Sequence, residues 1–189
     1  VPCNLGYVPT EFFVSVLGMQ IPQLPGGCVA GWGVMPGRHQ AAMRNQLCEV
    51  AIDHNFTHLV MLDSDMVYPP DVLVKLLSSK KQVICGFALS KLAPHKPIFG
   101  PKGEERWTFS PRWPTENHEP NGALLSGPQE SYVVGGAALM ICTSLLKALP
   151  QPWFSFGART SDDTEVGEDV WFSQLCEDYG VKTYVHVDV

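Results

Sequence analysis

The sequence predicts an α/β fold, with a mixed, mostly parallel central sheet flanked by helices. Strand-like and helix-like segments alternate along its 189 residues, as in proteins whose helices cover a sheet. The apolar run at residues 58–62 lacks polar alternation and ends abruptly at Asp63 and Asp65. Such a run is typical of a parallel strand that is buried on both faces. The length fits one domain, and we take it as residues 1–189.

The first half of the chain predicts three helices and four strands. Met43, Leu47 and Ala51 share one apolar face of the second helix. Pro70 suits the first turn of the third helix, because its missing N–H is harmless there. The predicted helices are residues 10–19, 37–54 and 70–79. The predicted strands are the end of a first strand at residues 1–3, a short strand that follows residues 26–30, the strand ending at Asp63, and residues 82–87.

The second half contains a proline-rich region, residues 90–127, followed by a return to regular structure. A long loop inside a compact domain is usually functional or disordered, so we interpret this region as a loop region that faces the substrate. Gly180 is a suitable stop for the last helix. The remaining predicted elements are a strand at 131–142, a helix at 143–149, a polar loop at 157–167, a helix at 168–179 and a strand at 181–189.

Composition and charge exclude several classes of protein. The net charge of −6 argues against a surface that binds nucleic acid. No apolar run approaches the roughly 20 residues that span a bilayer, and no signal peptide is evident. The start at Val1 rather than methionine is what trimming would leave. The six cysteines contain no C-x-x-C pair, which favours free thiols in a reducing, cytoplasmic compartment.

Asp63-Ser64-Asp65 is the strongest candidate site in the sequence. Ligands of open α/β sheets bind at the carboxyl ends of strands. Residues i and i+2 of an extended chain point the same way, so both carboxylates can face one site. Paired hard oxygen ligands suit Mg²⁺ or Mn²⁺ shared with a substrate phosphate. The structural alternative is that one aspartate caps the following helix while the other is solvated.

Glu168 and Asp169 form a second candidate site, at the start of a helix that follows a polar loop. Acidic residues in a first helical turn complement the helix dipole, which is the structural alternative. The functional interpretation makes one of them a general base for an incoming hydroxyl.

Four segments in this order resemble glycosyltransferases of the GT-A fold, of the broad family-two type. They are Arg44-Asn45, Asp63-Ser64-Asp65, Gly135-Gly136-Ala137 and the segment GEDVWF at residues 167–172. The phrase HLVMLDSDMVYPPDVLVKLL is especially similar to that group. The resemblance runs from about Met35 to Val189, apart from the proline-rich region. It implies a single GT-A domain, Rossmann-like, that moves a sugar from a nucleotide-diphosphate donor, such as a UDP or GDP sugar, to an unknown acceptor hydroxyl.

The resemblance also implies roles for individual residues. Asp65 binds the divalent cation directly, and Asp63 contacts the ribose, or the cation through water. Asp169 is the base of an inverting reaction and Glu168 assists the acceptor, although each could take either role. The remaining donor-binding residues hold the base, the diphosphate and the donor sugar, and they are Pro2, Cys3, Asn4, Arg44, Ser64, Gly135 and Gly136.

A histidine after the last strand often completes the metal site in this family. His186 is the candidate here, together with Asp63 and Asp65 as ligands of Mn²⁺ or Mg²⁺. Asp188 or a residue beyond Val189 could serve instead, and a packed strand histidine is the structural alternative for His186.

Two other functions compete with glycosyl transfer. A sugar-1-phosphate nucleotidyltransferase also combines an α/β sheet with acidic metal ligands. It normally has a glycine-rich, basic loop near the N-terminus, whereas residues 4–10 contain one glycine and no lysine or arginine. The other alternative is a non-catalytic module of the same fold that binds a nucleotide sugar or a glycan.

Overall fold

The computed structural model describes residues 1–3, 7–24, 27, 30–37, 39–89, 126–158 and 165–189. Asn4 and nearly all of the proline-rich region 90–127 lie outside these residues. In the described part, the chain is an α/β protein in which helices flank a mixed five-stranded sheet. The predicted fold class is confirmed to that extent.

Most helices and strands lie within a few residues of their predicted bounds. The second strand is an exception, because it begins at Met35 rather than directly after residues 26–30. The helices are α1 Thr10–Leu17, α2 Gln40–Asp53, α3 Val72–Ser78, α4 Thr143–Ala148 and α5 Glu168–Asp178. The strands are β1 Pro2–Cys3, β2 Met35–Pro36, β3 His58–Met61, β4 Val83–Gly86, β5 Pro128–Ser131, β6 Leu139–Cys142, β7 Gly157–Ala158, β8 Glu165–Val166 and β9 Thr183–His186.

The prediction of a mostly parallel sheet is wrong for the five-stranded sheet. Its strand order is β3-β6-β4-β9-β5, and β4–β9 is the parallel pair among three antiparallel ones. The reason is β6, which comes late in the chain and inserts between β3 and β4, antiparallel to both. Strands β3, β4 and β9 still run in one direction, so their carboxyl ends lie at the same edge.

The predicted strand at 131–142 is a strand only at its two ends: Ser131 is the last residue of β5, and Leu139–Cys142 forms β6 at a different place in the sheet. The chain between them bends at Gly136 and turns at Ala137 and Ala138, and Ala138 has a positive φ of 47°. The Val134 N–H is bonded to Ser173 Oγ of α5 at 3.0 Å rather than to a neighbouring strand. Uniform hydrophobicity concealed this break, because the segment is buried whether or not it is a strand.

Each face of the sheet is covered by its own apolar core. On one face, α2, α4 and α5 pack over side chains such as Met61, Leu139 and Val185. On the other face, α1 and α3 pack over Leu62, Ile84 and Met140. The five cysteines in the described ranges are free thiols. None of the helices described here combines the length and apolar character that a membrane span requires.

Candidate functional site

The predicted acidic residues gather where β3 ends and α5 begins. Asp63 follows β3 by two residues, and Glu168 and Asp169 open α5. Arg44 joins the two segments from the first turns of α2. Arg44, which precedes these acids in the chain, therefore brings Asp63 and Glu168 together.

Arg44 is the centre of this cluster and is 1% exposed. Its Nη2 donates to Asp63 Oδ1 at 2.9 Å, and its Nε donates to Glu168 Oε1 at 3.3 Å. A buried guanidinium requires such partners, because an unpaired charge in the interior is costly. Arg44 thus fixes the acid after β3 relative to the acid at the start of α5.

Aromatic and sulfur-containing side chains complete the surroundings of Arg44. Its Nη1 lies 3.5 Å from Met61 Sδ, and its Cζ lies 5.9 Å from the centroid of the Phe154 ring. Phe154 stacks on Phe172 of α5 with the ring centroids 4.7 Å apart. The guanidinium is therefore held by packing as well as by its two carboxylates.

Gly136 leaves the space that the guanidinium occupies. A Cβ atom at this position would lie 2.0 Å from Arg44 Nη2 and 2.7 Å from Arg44 Cζ. Gly135 is also buried, beside Cys85, and burial raises the pKa of the Cys85 thiol to about 12. Both glycines were predicted to admit the donor sugar, and the described contact of Gly136 is with Arg44.

The aspartates of Asp63-Ser64-Asp65 differ in their environments. The Asp63 side chain is 23% exposed, whereas Asp65 is an exposed residue. Strand β3 ends at Met61 and a turn includes Ser64 and Asp65. The alternation of an extended chain therefore does not set the direction of the Asp65 side chain, contrary to the premise of the sequence argument. The Tyr68 hydroxyl donates to the Asp63 carbonyl at 3.0 Å and steadies this turn.

Glu168 and Asp169 have different electrostatic surroundings although they are adjacent. Glu168 is paired with Arg44, whereas Asp169 Oδ1 accepts the Val170 N–H at 2.8 Å. Burial, and then the charge of Glu168, raise the pKa of Asp169, while the Val170 N–H and Arg44 oppose that shift. A raised pKa makes the Asp169 carboxylate a stronger base than an ordinary aspartate, which suits a general base.

The three predicted metal ligands do not come together. Within the residues described, no group of three His, Cys, Asp or Glu side chains could hold a metal ion. His186 lies in β9, separated from β3 by β4 and β6. Three strand spacings amount to about 14 Å, so His186 does not complete the site begun by Asp63 and Asp65.

His186 instead belongs to a separate cluster beside α3. Its Nδ1 is 4.0 Å from Asp188 Oδ2, and Lys75 Nζ donates to the Asp188 carbonyl at 2.7 Å. Burial lowers the pKa of His186, against the raising effect of Asp188. His186 is therefore a packed strand histidine, which is the structural alternative given for it above.

Pro2 and Cys3 are buried residues of β1, paired in parallel with Met35 and Pro36 of β2. The Cys3 Sγ–H donates to the Tyr7 carbonyl at 3.5 Å. Their described contacts are structural, and the third predicted residue of this set, Asn4, lies outside the described residues.

Phe154 is a site residue that sequence reasoning missed. Asn45 fixes its backbone, because Asn45 Nδ2 donates to the Phe154 carbonyl at 2.7 Å and the Phe154 N–H donates to Asn45 Oδ1 at 3.0 Å. Adjacent residues of α2 thus hold Phe154 and the acidic cluster. The Arg44-Asn45 pair was noted in the sequence, but nothing there connects it with residue 154.

Comparisons with known proteins show a shared fold. No protein-family model matches the chain, and no curated protein sequence matches it. Among solved structures, the chain is similar to the crystal structure of A197 from STIV, with a TM-score of 0.51 and 18% sequence identity. The match covers 82% of this chain and 68% of that chain. At this level of identity, the likeness concerns the fold alone.

Proposed function

We propose that this protein is a metal-dependent glycosyltransferase that moves a sugar from a nucleotide-diphosphate donor to an acceptor hydroxyl. The observation that carries the proposal is the buried Arg44, which ties Asp63 to Glu168. These residues belong to separate segments of the family resemblance, and they meet at the carboxyl end of β3, where α/β sheets bind ligands.

The oxygen donors after β3 fit the proposed cation, Mn²⁺ or Mg²⁺. Such ions are commonly held by one or two carboxylates, with water and substrate phosphate completing the coordination. Asp65 would bind the cation from its exposed position, and Asp63 would assist with the oxygen that does not face Arg44. The bound cation would supply Lewis-acid stabilisation of the departing diphosphate.

The proposed reaction places Asp169 as the base. It takes the proton of the acceptor hydroxyl as that oxygen bonds to the anomeric carbon of the donor sugar. The bond between that carbon and the diphosphate breaks, and the nucleoside diphosphate leaves. The raised pKa of Asp169 supports this role, because a weaker acid is a stronger base. Glu168 holds Arg44 in place, so its proposed contribution is positioning.

The test is calorimetric titration of UDP and of GDP, with and without Mn²⁺. The wild type is compared with Asp65→Ala and with a matched control, Asp53→Ala, which removes an exposed acid at the far end of α2. We expect metal-dependent binding of one nucleotide, weakened at least about tenfold by Asp65→Ala, which is about 1.4 kcal/mol. The control should bind as the wild type does. Absence of binding under every condition would contradict the proposal.

Turnover distinguishes the proposed activity from the two alternatives. A glycosyltransferase should release free sugar slowly from its nucleotide-sugar donor when water replaces the acceptor. A binding module would bind the nucleotide without any release. A nucleotidyltransferase would form pyrophosphate from a nucleoside triphosphate and a sugar 1-phosphate.

A further inference from the structure

A pocket of about 330 Å³ lies where β4 and β9 begin, at the end of the sheet opposite the acids. Its lining comes from residues 80–82, which lead into β4, and from residues 180–182 and Tyr184 on the other side. Lys80, Lys81 and Lys182 are among these residues, although the whole chain has a net charge of −6. The pocket therefore concentrates positive charge on an acidic protein, and its volume falls within the range of small-molecule sites.

The three lysines are only partly neutralised by their neighbours. Lys182 Nζ lies 2.7 Å from Glu130 Oε2 of the adjacent strand β5. Lys81 Nζ lies 4.1 Å from the centroid of the Tyr184 ring, which attracts a cation without carrying a negative charge. Among the residues that the structure describes, no carboxylate is paired with Lys80 or Lys81. The three ammonium groups and Glu130 together leave two positive charges uncompensated.

Helix capping does not account for these lysines. They follow α3 and α5, and cations near a helix end often bond its last carbonyls. Here backbone N–H groups take carbonyls at both helix ends, because the Lys80 N–H donates to the Leu77 carbonyl at 3.2 Å and the Val181 N–H donates to the Cys176 carbonyl at 2.8 Å. The ammonium groups at the pocket therefore remain available to another partner.

Lys80 occupies a backbone position at which glycine is favoured. It follows Ser79, the C-cap of α3, and has a positive φ of 54°. The equivalent positions after α2 and α5 hold Asn55 and Gly180, which are the residue types that best tolerate this conformation. A lysine is strained there, and backbone strain is concentrated at functional sites. The strain thus supports a function for the Lys80 side chain that glycine could not supply.

We propose that this pocket is a binding site for a phosphate monoester carried by a small, soluble molecule. A phosphate monoester carries a charge of about −1.5 to −2 at neutral pH, which matches the two uncompensated positive charges. Lys80 and Lys81 donate charge-assisted hydrogen bonds to its oxygens, and Lys182 contributes from its pair with Glu130. The site lies away from Asp63 and Asp65, so this inference is independent of the proposed function.

The lining of the pocket favours a soluble ligand over the headgroup of a phospholipid. Lys80, Gln82 and Lys182 are exposed, whereas Val181 and Tyr184, the larger apolar side chains of the lining, are partly buried. Membrane binding depends on apolar side chains that enter the bilayer as well as on charge. The described lining offers charge and exposes no such apolar side chain.

The test is a titration with glycerol 3-phosphate, followed by NMR at constant ionic strength and without added divalent metal. We expect saturable shifts of the Gly180 and Lys182 amides that sodium chloride does not reproduce. Lys80→Gly should weaken binding at least about tenfold without lowering the melting temperature, because glycine suits the positive φ. The matched control is Lys147→Gln, which removes an exposed positive charge on α4 and should leave the affinity unchanged.

A second pair of variants tests the charge balance with an effect of opposite sign. Glu130→Gln releases Lys182 from its carboxylate partner, so it should tighten the binding of glycerol 3-phosphate about threefold or more. Asp53→Asn makes the same change in net charge at the exposed end of α2 and should leave the affinity unchanged.

Three results would overturn the proposal. One is the absence of saturable shifts at Gly180 and Lys182 in the wild type. Another is equal weakening by Lys80→Gly and Lys147→Gln, which would show that only the net charge matters. The third is binding to vesicles of phosphatidylcholine and phosphatidic acid that Lys80→Gly abolishes, in a protein that does not bind free glycerol 3-phosphate. That result would assign the pocket to a lipid headgroup.

Discussion

Asp169 and Glu168 show how adjacent carboxylates acquire different properties. Glu168 has a buried cationic partner, whereas burial and the charge of Glu168 raise the pKa of Asp169. A carboxyl group with a raised pKa favours the folded state most below its unfolded pKa, near 3.8. That contribution is lost as the pH rises through the folded value. At neutral pH the folded protein therefore holds a carboxylate in an unfavourable place.

We predict that Asp169→Asn abolishes sugar transfer and raises the melting temperature at pH 7. The amide keeps an oxygen for the Val170 N–H and removes the buried negative charge. The gain should vanish below about pH 3.8, where the wild-type group is protonated in both states. Thermal unfolding at several pH values measures it.

The matched variant for Asp169→Asn is Glu168→Gln, one position earlier. This substitution weakens a charged hydrogen bond to Arg44, so it should cost about 2 kcal/mol of stability. Destabilisation by both variants would contradict the described division between the two acids. In the wild type, activity should fall as the pH drops through the raised pKa of Asp169, since the base must be ionised.

Gly136 provides a second prediction at the residue scale. Gly136→Ala places a methyl group against Arg44 Nη2, so the guanidinium or the loop must move. We expect destabilisation of about 1–3 kcal/mol, as for other overpacked sites, measured by urea denaturation. Gly33→Ala is the control, because no atom lies within 4 Å of a Cβ at that position. Equal stability of the two variants would contradict the close contact.

The contacts of Arg44 also show which features of the site could not be predicted from single residues. The resemblance assigned Arg44, Asp63 and Glu168 to one site from the order of their segments, and in the structure Arg44 contacts both acids. Arg44 and Gly136 are far apart in the sequence, and nothing in the sequence around either residue indicates that they are in contact. The same holds for Phe154, whose position follows from hydrogen bonds to Asn45.

At the scale of elements, α5 is fastened to the irregular segment between β5 and β6. Ser173 Oγ accepts the buried Val134 N–H at 3.0 Å and donates to the Asp169 carbonyl at 2.8 Å. The hydroxyl therefore connects the segment that contains both glycines to the helix turn that carries the acids.

We predict that Ser173→Ala lowers stability by about 1–3 kcal/mol, because it leaves the Val134 N–H buried without a partner. Hydrogen exchange should quicken at Val134 before it changes in β4. The control is Ser78→Ala, which removes an exposed hydroxyl that is bonded within α3. If both variants unfold alike, the hydroxyl of Ser173 has no special structural role.

The helix positions were predicted well at this scale, and in α2 the predicted apolar face of Met43, Leu47 and Ala51 is buried. Strand directions were harder to predict. Residues 131–142 form one hydrophobic run, yet the chain leaves the sheet after Ser131 and returns at Leu139 beside other strands. A hydrophobic run predicts that a segment is buried, but it does not predict which strands become neighbours.

For the whole molecule, the sequence was sufficient to predict the α/β class and to place the acids at one end of the sheet. It was insufficient for the metal site. His186 is the last residue of β9, which runs in the same direction as β3, but two intervening strands keep it away. Strand order decides this distance, and strand order depends on contacts between distant residues.

The insertion of β6 between β3 and β4 also has a consequence for protein synthesis. Both of these strands leave the ribosome well before Leu139, so neither can acquire its shared neighbour until most of the chain has been translated. At about 5–20 residues per second, this interval lasts several seconds. Apolar strand edges remain open during that time, which favours capture by chaperones. A fragment of residues 1–131 should therefore lack a cooperative unfolding transition, because it lacks β6, the strand that lies between β3 and β4.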